Sequence, residues 1–305
     1  MCKAKIPKEK KMKKVENRWL VSLLVVVEVV LISMAEQVTS QPTDMNSTLM
    51  RYQCSDYNSS WPEYHLSNLN TTLSSLCQKL TTGRDATAHS LINNEPVWGV
   101  AWCRGYLSVP DCLDCFDFAV DQLKLCGLSY WGRAIYTDCD VRYDKIFTED
   151  YDIIPEDYDI TSDMHHVVLC DNTTLSGRIE FQREVEFLLL DLQNAAPRTS
   201  NFYAASITNV DGNTTVYAIA ECHLNISQGV CLDCLHLISE SLVNCLPATF
   251  GLSTYEVCFM RYATTPFFGR NQTTDVTSIL MGKTSNLLEM ICFHNFFAKR
   301  DGSLN

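Results

Sequence analysis

The stretch from Cys103 to Cys139, CRGYLSVPDCLDCFDFAVDQLKLCGLSYWGRAIYTDC, decides the fold, because the chain uses its pattern twice. Cys103, Cys112, Cys115, Cys126 and Cys139 stand 9, 3, 11 and 13 positions apart, and Cys222, Cys231, Cys234, Cys245 and Cys258 repeat all four intervals. Each copy has one further cysteine upstream, Cys54 or Cys170, and both CxxC pairs read Cys-Leu-Asp-Cys. Val97-Trp98-Gly99-Val100-Ala101 answers to Val216-Tyr217-Ala218-Ile219-Ala220, and Arg142-Tyr143 to Arg261-Tyr262. Self-similarity at a fixed offset is the mark of a duplicated structural unit. The expected organisation is therefore two tandem domains, 41–147 and 165–268, joined by a linker at 148–164 and followed by a tail at 269–305.

Periodicity places the motifs. Leu66, Leu69, Leu73, Leu76 and Leu80 recur at three- and four-residue steps, which predicts a helix with one apolar stripe, ended by Gly83. Val97 to Trp102 reads as a strand. From Asp111 the chain turns helical, with Cys112, Cys115, Phe116, Ala119, Leu123 and Cys126 on one side, so both members of the CxxC pair face inward. Residues 130–143 read as one or two strands. The second copy starts at 166–170 and gives a helix through Phe181, Val185, Leu188, Leu189 and Leu192, strands at 202–207 and 216–220, a helix over about 230–244 and a closing segment at 253–262. The tail has helical potential at 279–291 but no packing partner that the sequence identifies.

Compartment and partners follow from the ends and the charge. Eight basic residues among the first eighteen precede the apolar run Trp19 to Ala35, with small residues after it, the pattern of a secretory signal peptide over 1–40. With Glu28 inside it, the run is short for a bilayer span, and no later segment qualifies. Residues 41–305 hold 16 Lys or Arg against 32 Asp or Glu, a surface that repels phosphate backbones and argues against nucleic-acid partners. Asn-x-Ser/Thr signals at Asn46, Asn58, Asn70, Asn172, Asn213, Asn225 and Asn271 suit a glycosylated extracellular protein. In an oxidising compartment the spaced cysteines read as disulfides. Cys77 falls on the leucine face of the first helix and reads as a buried free thiol, with pairing to Cys292 the alternative.

Catalytic chemistry finds no foothold. The seven histidines are scattered, none in HExxH, and neither a GxSxG elbow nor a glycine-rich phosphate loop occurs. A zinc or thioredoxin-like use of the CxxC pairs is the competing class; a zinc finger would want both pairs in one unit, and a redox site an exposed thiol after a strand. The acidic segment EDYDIIPEDYDITSD at 149–163 lacks the order of a calcium loop and reads as an exposed linker. No cofactor, no metal and no enzyme activity are expected.

Cys-x8-Cys-x2-Cys occurring twice, with Cys258-Phe259-Met260-Arg261-Tyr262 closing the second copy, resembles the plant ginkbilobin-homologous domain, also called the salt-stress-response/antifungal domain. Tandem pairs of it are found in cysteine-rich repeat secretory proteins, plasmodesmata-located proteins and the ectodomains of cysteine-rich receptor-like kinases. The resemblance covers about residues 48–264 and implies an α+β fold: in each repeat, two helices on one face of a five-stranded antiparallel sheet, with three disulfides. Spacing alone leaves the connectivity open. The family's pairing, carried across, joins Cys54–Cys126, Cys103–Cys112, Cys115–Cys139, Cys170–Cys245, Cys222–Cys231 and Cys234–Cys258.

The resemblance also implies a ligand site. The family's single-domain antifungal seed protein binds mannose through an Asn after its first cysteine, an Arg before its last and a Glu after it. Those places hold Ser55, Arg133 and Asp144 in the first repeat, and Asp171, Leu252 and Ala263 in the second. Arg133 as donor and Asp144 as acceptor keep the sugar-binding chemistry in outline, whereas Ser55 lacks the amide that both donates and accepts. The reading is a secreted, non-enzymatic recognition protein of the apoplast, in plant defence or signalling, binding a cell-wall or microbial glycan or a receptor ectodomain. The alternative is the truncated ectodomain of a cysteine-rich receptor-like kinase.

Overall fold

A computed structural model describes residues 47–145, 166–175, 179–210 and 212–281. The segment 1–40 read as a signal peptide, Asn46, the segment 148–164 read as a linker, Cys2 and Cys292 lie outside these residues.

The first repeat runs β1 (Leu49–Cys54), α1 (Pro62–Leu80), β2 (Asp85–Ile92), β3 (Glu95–Cys103), α2 (Val109–Leu123), β4 (Trp131–Tyr136) and β5 (Cys139–Asp144). The second runs β6 (Val167–Cys170), α3 (Ile179–Ala195), β7 (Tyr203–Asn209), β8 (Thr215–Cys222), α4 (Gln228–Val243), β9 (Phe250–Thr254) and β10 (Cys258–Ala263), followed by a short α5 (Val276–Met281). Both sheets are five-stranded and antiparallel, ordered β1-β4-β5-β3-β2 and β6-β9-β10-β8-β7. Two tandem α+β repeats of one topology are thus present.

The helices start where the sequence can cap them. Ser108 and Ser227, at equivalent places, each accept a hydrogen bond from the backbone N–H three residues on, at 3.3 and 3.2 Å. Such a cap satisfies one of the donors a helix start leaves open and contributes ~1 kcal/mol. The apolar stripes of α1 and α2, with Leu69, Leu76, Leu80, Phe116, Ala119 and Leu123 buried, cover one face of the first sheet. α3 and α4 do the same for the second with Phe181, Val185, Leu189, Leu192, Leu235 and Ile238. Each such fully buried side chain contributes roughly 1.5–3 kcal/mol. Gly132 and Gly251 let a tyrosine of the neighbouring strand lie flat across the core: a Cβ on Gly132 would stand 2.6 Å from the ring of Tyr143, and Tyr262 crowds Gly251 in the same way.

Six disulfides pin these layers: Cys54–Cys126, Cys103–Cys112 and Cys115–Cys139 in the first repeat, Cys170–Cys245, Cys222–Cys231 and Cys234–Cys258 in the second. Both CxxC pairs are therefore divided between two different bridges. Cys77 corrects the free-thiol expectation: it is half-buried beside Leu73 and disulfide-bonded, its partner outside the described residues. An inward-facing position on the leucine stripe does not exclude a bridge.

The tail expectation is also modified. Phe267 and Phe268 are buried, Thr274 N–H donates to Ala205 O at 2.8 Å, and Val276, Ile279 and Leu280 pack on the second core. Residues 267–281 thus cover the outer edge of β7 and continue the second repeat. Among the described residues no helix is long and apolar enough to cross a membrane.

The two helix-free sheet faces meet. Arg142 reaches Glu256 at 2.7 Å, Arg84 is bonded to the fully buried Glu221, and Gly105 N–H donates to the same Glu221 carboxylate at 2.8 Å. Arg104, also fully buried, stacks between Trp102 and Phe259, 4.4 and 4.0 Å from their ring centres. Burial pulls its guanidinium below the ordinary arginine value and lifts the Glu221 carboxyl, while the two charges oppose those shifts in each other.

Candidate functional site

Strand pairing lines up residues from segments far apart in the sequence. On the helix-free face of the first sheet, Trp98 of β3 is paired with Asp144 of β5, and Asp144 with Trp131 of β4. His89 of β2 is paired with Trp98 and stacks on it, ring centres 4.4 Å apart and 27° from parallel. One row therefore crosses four strands as His89, Trp98, Asp144 and Trp131, with both tryptophans and Asp144 half-buried and His89 exposed. The next row inward is Thr87, Val100, Arg142 and Arg133.

Between the rows sits an ion-pair ladder. Arg142 Nη2 donates to Asp144 at 3.2 Å and its Nη1 to Glu256 at 2.7 Å. Arg133 is buried at 5% exposure and donates to Asp140 from Nε at 3.1 Å and from Nη2 at 2.5 Å, with Glu256 3.7 Å from its Nη1. A guanidinium that chelates one carboxylate and faces another, this far from solvent, is committed to holding the repeats together. Arg142 stands beside Asp144 as the accessible cation of the pair, with 22% of its side chain exposed.

Of the three residues carried over from the family resemblance, Asp144 is at the centre of the tryptophan row. Arg133 lies one row inside and donates to Asp140. Ser55 is buried beside Trp131, donating its N–H to Trp131 O at 2.9 Å, and its hydroxyl accepts from Tyr57 N–H at 3.0 Å in a local turn. The corresponding residues of the second repeat are built in: Asp171 accepts from the Thr249 hydroxyl at 2.6 Å, and Leu252 and Ala263 are buried. Sequence reading missed Trp98, Trp131 and Arg142. The signal available was the alternation Val97-Trp98-Gly99-Val100-Ala101-Trp102, which puts Trp98 and Trp102 on the face opposite Val97 and Ala101.

The row has a definite chemistry. Half-buried indoles stand on either side of the Asp144 carboxylate, one of them stacked on by His89, and the carboxylate and the neighbouring Arg142 guanidinium offer acceptor and donor groups. Among the described residues no cluster of His, Cys, Asp and Glu has the geometry to hold a metal ion.

The sequence profile of the salt stress response/antifungal family matches residues 51–146 and 169–265. The chain belongs to the salt stress response/antifungal family. Within it, cysteine-rich repeat secretory protein 38 of Arabidopsis thaliana is 27% identical over 256 residues, covering 82% of this chain and 95% of that protein. Cysteine-rich receptor-like protein kinase 25 of the same plant is 26% identical over 246 residues, 79% of this chain but 35% of the kinase, so the chain spans about a third of that relative's length. An antimicrobial ginkbilobin-2-like protein of Castanea crenata is 27% identical over 203 residues, 66% of this chain and 80% of its own. Among solved structures, the tandem DUF26 ectodomain of the Arabidopsis thaliana cysteine-rich receptor-like protein PDLP8 superposes with a TM-score of 0.57 at 22% identity, covering 72% of this chain and 100% of that one. The first of these relatives is named a secretory protein, and the solved structure is an ectodomain.

Proposed function

We propose that this protein is a secreted, non-enzymatic recognition module of the plant apoplast, acting in defence or signalling, and that its ligand is a neutral carbohydrate held on the Trp98–Asp144–Trp131 row. The observation that carries the reading is that row itself, with Arg142 3.2 Å from the central carboxylate. A pyranose ring lays its C–H face on an indole while adjacent hydroxyls bond a carboxylate and a guanidinium, and this row with Arg142 of the next has all three groups on one sheet face. Export with N-linked glycans fits the surface: Asn58, Asn70, Asn172, Asn213, Asn225 and Asn271 are all exposed. A leader over 1–40 completes this reading.

Secreted full-length protein probed on an array of neutral cell-wall and microbial oligosaccharides, mannans included, tests it. Binding to at least one class is expected, weakened about tenfold or more by Asp144→Ala, since a hydrogen bond to a charged group contributes ~1.5–3 kcal/mol. Trp98→Ala and Trp131→Ala should weaken it similarly, and Ser55→Ala little. A blank array, or Asp144→Ala and both tryptophan variants binding as the wild type does, would sink the carbohydrate reading.

A further inference from the structure

The two repeats present the same loop to each other but fill it differently. Tyr106 and Asn225 stand at equivalent places, three residues after Cys103 and Cys222. Both loops end in the serine cap of the following helix. In the first repeat Tyr106 plugs the space against the second sheet, buried to 5% exposure and edge-on to Phe267 at 5.3 Å. Its hydroxyl donates to Asp138 at 2.5 Å and accepts from Arg261 Nη1 at 3.1 Å. A carboxylate from the β4–β5 turn of its own repeat and an arginine from the other repeat thus hold one phenol.

In the second repeat the same pair of groups is present without the phenol. Arg142 is the counterpart of Arg261, and Glu256 occupies the β9–β10 turn next to Val257, the counterpart of Asp138. With asparagine in place of tyrosine, a cleft of about 80 Å³ opens between the repeats, lined by Val100, Trp102, Arg142, Asn225, Glu256 and Val257 among others. It is lined by the buried Trp102, whose Nε1 has no hydrogen-bond partner among the described residues. An enclosed cavity of ~150 Å³ holds a benzene ring, so this solvent-open cleft of about half that size takes one edge of a flat ring and leaves the rest in water.

We infer that this cleft binds a small free phenol, its ring between Trp102, Val100 and Val257 and its hydroxyl donating to Glu256 and accepting from Arg142, as the side chain of Tyr106 does with Asp138 and Arg261. The ligand would enter between two groups that are bonded to each other at 2.7 Å, as the Tyr106 hydroxyl stands between Arg261 and Asp138, which are 3.8 Å apart. The inference shares Arg142 with the carbohydrate reading but does not depend on it, and survives a blank glycan array.

The test titrates p-cresol into the secreted full-length protein by calorimetry, with tryptophan fluorescence as the second readout. Saturable binding is expected, and 4-methylanisole, which keeps the ring but has no proton to donate, should bind about tenfold more weakly. Asn225→Tyr rebuilds the plug of the first repeat and should abolish p-cresol binding without lowering the melting temperature. Asn225→Ala removes the glycosylation signal, leaves the cleft open and should bind at least as tightly as the wild type. Absence of saturable binding, equal affinity for 4-methylanisole, retained binding in Asn225→Tyr, or lost binding in Asn225→Ala would each overturn the inference.

Discussion

Arg142 and Glu256 lie 2.7 Å apart and belong to different repeats, 114 positions apart in the sequence. Glu256 also lies 3.7 Å from Arg133, and Arg142 also holds Asp144, so one glutamate closes a ladder of two arginines and three carboxylates. With the Arg84–Glu221 pair at the other end of the contact, this ladder makes the two sheets one body rather than two beads on a linker.

Glu256→Ala should therefore destabilise the chain measurably without unfolding it. The lost bond is charge-assisted and only partly exposed, and both arginines keep another carboxylate, so about 1–2 kcal/mol is the expected cost. Urea unfolding of Arg142→Ala, Glu256→Ala and the double variant gives the coupling energy directly. A value near 1 kcal/mol is expected, and one indistinguishable from zero would mean that the pair is screened like an ordinary surface bridge.

The architecture was legible from the cysteine intervals, because a pattern repeated at a constant offset leaves no freedom about the number of domains. β2 was not. Asp85–Ile92 reads DATAHSLI, and its core-facing residues, Ala86 and Ala88, are too small to show alternation; they are small because α1 presses close on that edge. Its counterpart β7, which follows a phenylalanine and carries Tyr203 and Ile207, was legible. For the site, resemblance led to Asp144 but could not show that Arg133 is bound to Asp140, since that depends on the β4–β5 register, which sets the two side chains diagonally across neighbouring strands. Trp98 and Trp131 are 33 positions apart and meet only across β5, so no local pattern joins them.

His65 sets a pH dependence. It is fully buried on α1 near the Tyr143 ring, and burial holds its pKa below 6.5 despite the pull of Glu95. Above pH 6.5 the ring is neutral in both folded and unfolded chains. As pH falls through 6.5 the unfolded chain takes up a proton that the folded one resists, so stability drops, by at most ~1.4 kcal/mol per pH unit, until the folded value is reached. Glu221, whose pKa burial raises, works with the opposite sign, its contribution largest below 4.5 and lost as pH rises through its folded value. The difference between wild type and His65→Leu isolates the histidine: melting temperatures from pH 7.5 to 5.5 should fall more steeply for the wild type. Parallel curves would show that the buried ring accepts its proton freely.

The disulfides should not be equal in worth. Cys54–Cys126 ties β1, at the sheet edge, to the end of α2 across a separation of 72 residues, whereas Cys103–Cys112 spans 9 and only fastens the start of α2 to β3. In the chain-entropy account the longer loop restrains the unfolded chain more, giving about 4.4 kcal/mol against about 2.7 kcal/mol for the shorter. β1 makes few other demands on the core: its residues are half-buried or exposed, and its ladder to β4 is its main attachment. Replacing both Cys54 and Cys126 by alanine should therefore lower stability by ~1.5 kcal/mol more than replacing Cys103 and Cys112, as read by urea unfolding of the secreted variants. Hydrogen exchange should also show β1 opening first in the Cys54/Cys126 variant, because the bridge is what holds an edge strand with little buried surface. If the short-loop variant proves the weaker of the two, native packing around Cys103 and Cys112, both buried in the first core, governs their value instead of loop closure.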